Sequence, residues 1–269
     1  MYQKYTIGEL AKILGVTTET IRYYERKELI KPVHDPETGY RYYNAWDLHM
    51  LLRTRCYLGF GFSAEQTAAI LQDNDLNQLD LLLEQQEMVI QEKILYQMNI
   101  LKKIRKNRQL IHDVLNDHSM LSIRERPGIY RIDTQKCYTI SLKQDELLEL
   151  KEFCQSVPFL FSTALFPQEH IHNKNKEFYF GVGIEEEFAG LLNIECSEYI
   201  KYYPPTLCLY MCFSSRSGKF LNYEILKPAF DYMKKHNLVL NGDIITQIVL
   251  MSKPENEYFN WHNIWIPIQ

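Results

Sequence analysis

The segment from Asp75 to His118 limits what this chain can become more than any other: 44 residues without a proline or a glycine. Leu83, Ile90, Ile94, Leu101, Ile104, Ile111 and Leu115 recur through it at steps of three, four or seven, with Gln97 and Arg108 interrupting the pattern. That spacing is an imperfect heptad seam surrounded by Lys and Glu. A continuous helix of this length would extend about 65 Å. So polar a helix buries too little surface alone, so its apolar stripe needs a cover, from its own chain or from a second copy.

The residues before this segment carry explicit helix punctuation. Thr6 followed by Glu9 reads as a capping box opening a helix that runs to about Leu14. Gly15 breaks it, and Thr17 caps a second helix running to about Arg26. Two short helices across a tight glycine turn form a helix-turn-helix pattern. Ile7, Leu10, Ala11 and Leu14 supply a buried stripe, continued by Ile21 and Leu29. Asp35-Pro36-Glu37-Thr38-Gly39 then makes a turn between Ile30–Val33 and Tyr40–Tyr43, which reads as a small hairpin or wing. Asn44 caps a third helix, and Ser63 with Gln66 a fourth, joined by Gly59-Phe60-Gly61-Phe62.

Here the residues resemble a known family. Tyr5-Thr6-Ile7-Gly8-Glu9-Leu10-Ala11, Thr20-Ile21-Arg22-Tyr23-Tyr24-Glu25 and Gly39-Tyr40-Arg41-Tyr42-Tyr43 are similar to the MerR family of transcription regulators. The Leu58-Gly59-Phe60 turn before a Ser-capped helix is a fourth match in order. The resemblance implies a homodimer through an antiparallel coiled coil, double-stranded promoter DNA as partner, and RNA polymerase engaged at that promoter. Family members bend and untwist a promoter whose elements are too far apart, so deformation energy is the physical means. On the head, Thr18, Arg22 and Tyr23 share a face of the second helix. Tyr40, Arg41 and Tyr42 sit on the wing, and Arg55 lies near the second turn. These seven are the candidate DNA contacts, Arg by guanine or phosphate pairing and Tyr by phosphate. Glu25 is expected to pair with a neighbouring cation.

The remainder, 119–269, turns aromatic and β-branched. Strands are expected at 128–142, 160–166, 177–184, 203–214, 244–251 and 263–268, with helices at 143–157 and 221–236. Strand–helix–strand–strand thus occurs twice. The order, with Tyr203-Pro204-Pro205 and Ile264-Trp265-Ile266-Pro267-Ile268, resembles the GyrI-like effector domain of the multidrug-binding, BmrR-like subgroup. Strand alternation puts Ile264, Ile266 and Ile268 toward the helices and Asn263 and Trp265 the other way. Phe178 with Phe180, and Thr246 with Ile248, form further shared faces. These six, Phe178, Phe180, Thr246, Ile248, Asn263 and Trp265, are the candidate lining for a small aromatic or cationic ligand. The subgroup places carboxylates on its last two strands. Thr246 and Asn263 stand there instead, which weakens the case for a cation, and a solvated surface role is expected for Glu177, Glu185 and Glu224.

Composition bounds the rest. The chain has 269 residues, 46% apolar and 24% charged, with net charge −4, which suits a globular protein whose DNA contacts are a local patch. Six cysteines form no C-x-x-C pair, and none falls between Cys56 and Cys137, so thiolate metal or iron–sulfur sensing has no obvious ligands. No metal and no cofactor are expected, and no membrane span or signal peptide, so a cytoplasmic location is expected. The fold expectation is α+β: a winged helix-turn-helix at 1–74, a coiled-coil dimerisation helix at 75–118 and a GyrI-like ligand-binding domain at 119–269. The functional expectation is a ligand-responsive regulator and not an enzyme. Two rivals are hydrolase activity in the GyrI-like domain, for which no nucleophile elbow or phosphate loop is present, and a DNA-binding architectural protein without effector. His170-Ile171-His172 is only a weak metal hint.

Overall fold

In a computed structural model of the chain, the described residues are 4–72, 75–117, 121–140, 142–216, 223–253 and 256–269. Asn74 and His118 at the expected boundaries, Ser141 in the expected first strand and Leu221 at the expected helix start lie outside them. The chain divides into two compact units, Met1–Leu95 and Tyr96–Gln269. Among the described residues no helix is long and apolar enough to cross a membrane.

The first unit contains α1 (Ile7–Leu14), α2 (Thr18–Arg26), the hairpin β1 (Val33–His34) and β2 (Arg41–Tyr42), α3 (Ala45–Phe60) and α4 (Ala64–Gln72). It also contains the first part of α5, which runs unbroken from Leu76 to Asp117. The start signals are realised as local hydrogen bonds. Thr6 Oγ1 accepts from Glu9 N at 3.3 Å, and Thr6 N donates to Glu9 Oε2 at 2.7 Å. Gly15 ends α1 at φ 63°, a left-handed conformation that suits glycine. Leu10, Leu14, Ile21, Leu29, Tyr43 and Leu51 close over one another as the core of this unit.

The second unit is built on one antiparallel sheet of eight strands. Its elements after α5 are β3 (Ser122–Arg126), β4 (Ile129–Lys136), α6 (Gln144–Phe153), β5 (Phe161–Phe166), α7 (Gln168–His172), β6 (Tyr179–Glu185), α8 (Glu186–Ala189), β7 (Lys201–Tyr203), β8 (Thr206–Arg216), α9 (Lys227–Lys235), β9 (Ile244–Ser252) and β10 (Phe259–Pro267). Spatial order is β3-β8-β10-β9-β5-β6-β4-β7. The expected repetition is physical: β4–α6–β5–β6 and β8–α9–β9–β10 occupy the two halves as 4-6-5 and 8-10-9, meeting where β5 pairs with β9. The whole is α+β, a helix-turn-helix head, a long helix and a curled antiparallel sheet.

Some extents differ from the sequence reading. The expected strand at 203–214 is two strands, because Pro204 and Pro205 lack the N–H groups a ladder needs; β7 pairs with β4, while β8 lies between β3 and β10. The strand expected to reach Leu142 ends at Lys136, where Cys137 takes φ 48° and Lys136 bridges Thr139. The expected last helix begins as a 3-10 turn, Tyr223–Leu226, and becomes α-helical only at Lys227, with a proline in its first turn.

Directly paired residues of an antiparallel sheet share a face, which fixes the two sides of this one. Ile264, Met211, Thr246, Ala164 and Phe180 are on one side, packed with Ala229 and Met233 of α9 and continuing to Phe153 of α6. Cys208, Tyr210, Trp265, Ile245, Leu165 and Ile129 are on the other. On the helix-covered side, burial pushes the His262 imidazole down to about 4; its Nε2 lies 2.8 Å from Ser215 Oγ. Its folded pKa is below the unfolded value, so the unfolded chain takes up the proton first as pH falls, and stability is lost between about pH 6.5 and pH 4. Replacing His262 with Gln is expected to remove about 2 kcal/mol of the loss between about pH 7 and pH 5, read as a flatter pH dependence in urea unfolding.

Candidate functional site

Two surfaces carry the chemistry, one in each unit. In the head, burial of Ile21 and Tyr24 turns the opposite face of α2 outward. Arg22 and Tyr23 are exposed there, and Thr18 is half-buried. Arg22 and Arg26 share one carboxylate, Glu19, at 3.5 and 3.0 Å, so their guanidinium groups are held side by side. Those hydrogen bonds, that of Arg26 first, hold Glu19 below the ordinary carboxylate range.

The wing is fastened to the same helix. Asp35 Oδ1 accepts from the backbone N–H of Glu37 and Thr38 at 3.1 and 3.0 Å, shaping the turn into which Gly39 fits at φ 69°. Arg41 pairs with Glu25 of α2 at 3.3 Å, and the buried Tyr43 donates its hydroxyl to the same carboxylate. Burial and that hydrogen bond push the Tyr43 phenol upward. Glu25 thus has the internal pairing expected of it. The Tyr40 side chain is strongly exposed, while Tyr42 lies under the Lys4 ammonium, 5.3 Å from its ring centre. Arg55 donates from Nη1 to the carbonyl of Leu14 at 2.6 Å, tying α3 to the end of α1. The structure therefore brings Thr18, Arg22 and Tyr23 together on α2, with Arg41 joined to it through Glu25, and places Arg55 on a structural hydrogen bond. Arg26, which the sequence reading passed over, belongs to the Arg22 cluster; its spacing of four from Arg22 was the available signal.

Replacing Arg55 with Met removes a charged hydrogen bond to a helix-terminal carbonyl, worth about 1.5 to 3 kcal/mol. A lowered unfolding midpoint for the free protein is expected, measured by circular dichroism without DNA.

In the second unit, a cleft of about 540 Å³ opens on the side of the sheet away from α6 and α9. Its walls include Leu110, Pro127, Pro205 and Trp265, and its polar groups include Glu185, Gln247 and Asn263. Asn263 and Trp265 line it as strand alternation suggested. Phe178, Phe180, Thr246 and Ile248 do not belong to it. Phe178 stacks on Phe166 at 5.2 Å inside the helix-covered core, and Phe180 packs against that core. Thr246 accepts from Ala164 N at 3.0 Å, and Ile248 follows it two residues on along the same side of β9. The residue beside Asn263 on the cleft side is Gln247.

Glu185 corrects another expectation. It was given a solvated role, yet it is only 5% exposed, because it ends β6 where Lys103 and Lys106 of α5 close over it. Lys106 pairs with both Glu185 and Glu187, Lys102 with Glu187 at 2.5 Å, and Lys103 lies 3.8 Å from Glu185. Gln247 Nε2 adds a 3.4 Å contact to Glu185. Burial acts against the Lys106 ammonium, but the two carboxylates outweigh it and hold its pKa raised. For Lys103 burial dominates and lowers it. Glu187, despite burial, is lowered by its hydrogen bonds from Lys102 and Lys106. All three ammonium groups stand 5.7 to 5.9 Å from the Phe188 ring centre. None of this was accessible to pattern reading, since the partners are 62 or more positions apart.

The cleft side also holds unpartnered polar atoms. Among the described residues, Arg126 Nε, Arg131 Nε, Thr163 Oγ1 and Trp265 Nε1 are buried there without a hydrogen-bond partner. Buried donors without partners are uncommon in native proteins and mark where a ligand or water belongs. Gly181 and Gly183 face the same side; a Cβ on Gly183 would come within 2.7 Å of the Phe161 ring, and one on Gly181 would collide with the Ile132 carbonyl. No group of three or more His, Cys, Asp or Glu able to hold a metal occurs among the described residues. His170 instead sets its Nδ1 2.8 Å from the carbonyl of Glu177.

With this geometry in view, residues 5–74 match the family described as MerR HTH family regulatory protein. The chain is 33% identical over 160 residues to the multidrug-efflux transporter 1 regulator of Bacillus subtilis, a match that covers 56% of each chain. It is 42% identical over 67 residues to the HTH-type transcriptional regulator ZntR of Escherichia coli, covering 25% of this chain and 48% of that one. The chain spans about half the length of the curated relatives it matches. Among solved structures, an EcmrR–DNA complex aligns over 98% of this chain and 99% of that one at 18% identity, with a TM-score of 0.39, too low for the likeness to carry weight.

Proposed function

From the MerR-type helix-turn-helix domain that residues 5–74 form, we propose that the chain is a ligand-responsive transcription regulator acting on promoter DNA as a homodimer. The observation that carries this reading is the outward face of α2, where Arg22 and Arg26 are held side by side by Glu19 and the wing is anchored through Arg41 and Glu25. Such a helix is shaped to enter a major groove, with the wing on the flanking backbone. Thr18, Arg22 and Tyr23 then meet the groove, and Tyr40, Arg41 and Tyr42 the phosphates. Arg55 acts by holding α1 against α3.

Dimerisation is supported by α5. Leu83, Ile90, Ile94, Leu101, Ile104, Ile111 and Leu115 are exposed among the described residues of the single chain, which leaves the apolar seam open to a partner. Two heads on a paired helix suit two half-sites of a roughly palindromic operator. The cleft beside Trp265, Pro127 and Leu110 suits a flat, apolar ligand with an acceptor or a charge. Ligand binding shifts the regulator only if it favours one DNA-bound conformation over another. In that conformation the promoter is bent and untwisted so that RNA polymerase engages both of its elements.

Arg22→Ala is expected to weaken specific operator binding by about ten- to a hundredfold, the range for a base or phosphate contact by Arg. Fluorescence anisotropy at fixed salt measures it, and unchanged affinity would remove Arg22 from the interface. For the cleft, thermal-shift screening of aromatic compounds is expected to find ligands whose effect disappears in Trp265→Ala; ligands that bind that variant as well as the wild type would place the effector site elsewhere.

A further inference from the structure

The acidic end of the cleft already contains a cation, and that cation belongs to the chain. We propose that Glu185 and Glu187 form a subsite for an aromatic cation, that Lys106 of α5 is its resident occupant, and that a ligand enters by exchanging its own positive charge for the Lys106 ammonium. The inference rests on the reading of this cleft as the effector site.

Burial of the carboxylate makes exchange the only inexpensive route. Glu185 is 5% exposed, and without Lys106 it keeps only Lys103, 3.8 Å away, so a buried carboxylate loses its hydrogen-bonded counter-ion at a cost. Whatever enters must bring the charge that leaves. A neutral molecule cannot replace the ammonium, and an anion would meet two carboxylates. Of the cations at this site, Lys106 is the one suited to depart. It touches both Glu185 and Glu187, lines the cleft, and its side chain is 39% exposed, so water can receive the ammonium. Lys103 is not: its side chain is 8% exposed, it lies between the Phe161 and Phe188 rings, and at 3.8 Å it is a Coulombic neighbour of Glu185 rather than a hydrogen-bond partner. Lys102 is more exposed than either and reaches Glu187 alone.

The surroundings fit an aromatic cation better than a small ion. Beside the two carboxylates the cleft offers Leu110, Pro127, Pro205 and Trp265 as apolar walls, with Trp265 Nε1 and Arg126 Nε lacking partners. A hydrated metal ion would leave those walls unused, whereas a flat cation bearing an acceptor atom uses walls and carboxylates together.

Exchange also gives the ligand a direct effect on α5. Lys102, Lys103 and Lys106 form one stripe of that helix, and Gln109 and Leu110 continue it along the cleft. Loss of the Lys106 contacts loosens the grip of Glu185 and Glu187 on a helix that runs without interruption back to Leu76.

Three fluorescent dyes test this on the full-length chain: ethidium as the aromatic cation, Nile red as a neutral probe and anilinonaphthalene sulfonate as the anion. Removing the competitor in Lys106→Met is expected to tighten ethidium binding about tenfold while leaving Nile red within about twofold. Lys106→Gln, which keeps a polar side chain, is expected to do the same. Adding Glu185→Gln to Lys106→Met is expected to abolish the gain. In wild type, saturating ethidium is expected to speed amide hydrogen exchange around residues 102–110, and Nile red is not. Equal ethidium affinity in wild type and both Lys106 variants overturns the exchange, as does tighter binding of all three dyes alike. If Nile red binds and Trp265→Ala removes it while ethidium ignores Lys106, the effector cleft stands and only the exchange falls. If no dye binds any of the proteins, both readings fall together.

Discussion

Four residue pairs, from Thr163↔Gln247 to Phe166↔Ile244, join β5 to β9 and make one sheet out of two similar halves. Everything in the second unit depends on that register. Because side chains alternate across a strand, a slip of one residue would exchange the two faces of an entire half. In the register found, Ala164 and Thr246 lie with the helices, while Thr163 and Gln247 lie with Asn263 on the cleft side. The Thr246 hydroxyl, accepting from Ala164 N, fastens the joint from the buried side. The cleft is therefore a product of strand pairing: its floor comes from both halves, and neither half could form it alone.

The long helix has two jobs on two stripes. Leu101, Ile104, Ile111 and Leu115 form the exposed seam, and Lys102, Lys103, Lys106 and Leu110 face the sheet and its acidic corner. On a rigid helix these stripes are locked to one another, so a change at Lys106 cannot leave the seam untouched. A loop in place of this segment would dissipate such a change within a few residues. An unpunctuated helix, which the absence of proline and glycine from 75–118 favours, carries it further.

The head was largely legible because its signals are local. Thr6 with Glu9, Asn44 with Asp47 and Ser63 with Gln66 each settle a helix start within four residues, and the structure realises all three. Strand existence and order in the second unit were legible for a similar reason, apart from the break at Pro204-Pro205. Which face of each strand opens to the cleft was not. Ile264, Trp265, Ile266 and Pro267 of β10 are all buried, as are Ile244 to Gln247 of β9, so the polar–apolar alternation that would reveal an open side is absent. That is why Phe178, Phe180, Thr246 and Ile248 read as lining although they pack beneath the helices.

The missing carboxylates on the last two strands take on a different meaning in this light. Of the two uncharged residues expected in their place, Asn263 stands on the cleft face beside Gln247, whereas Thr246 lies under the helices. The Asn263 carbonyl oxygen accepts from the Tyr210 hydroxyl at 2.8 Å, and Gln247 donates toward Glu185. In this chain a buried negative charge of the cleft, Glu185, lies at the end of β6 in the first half of the sheet. A carboxylate on β9 or β10 would sit over the sheet floor, away from the lysines of α5. At the end of β6 it falls directly beneath Lys103 and Lys106. Placing the buried charge there ties the acidic corner of the cleft to the helix, which a carboxylate confined to the floor of the cleft could not do.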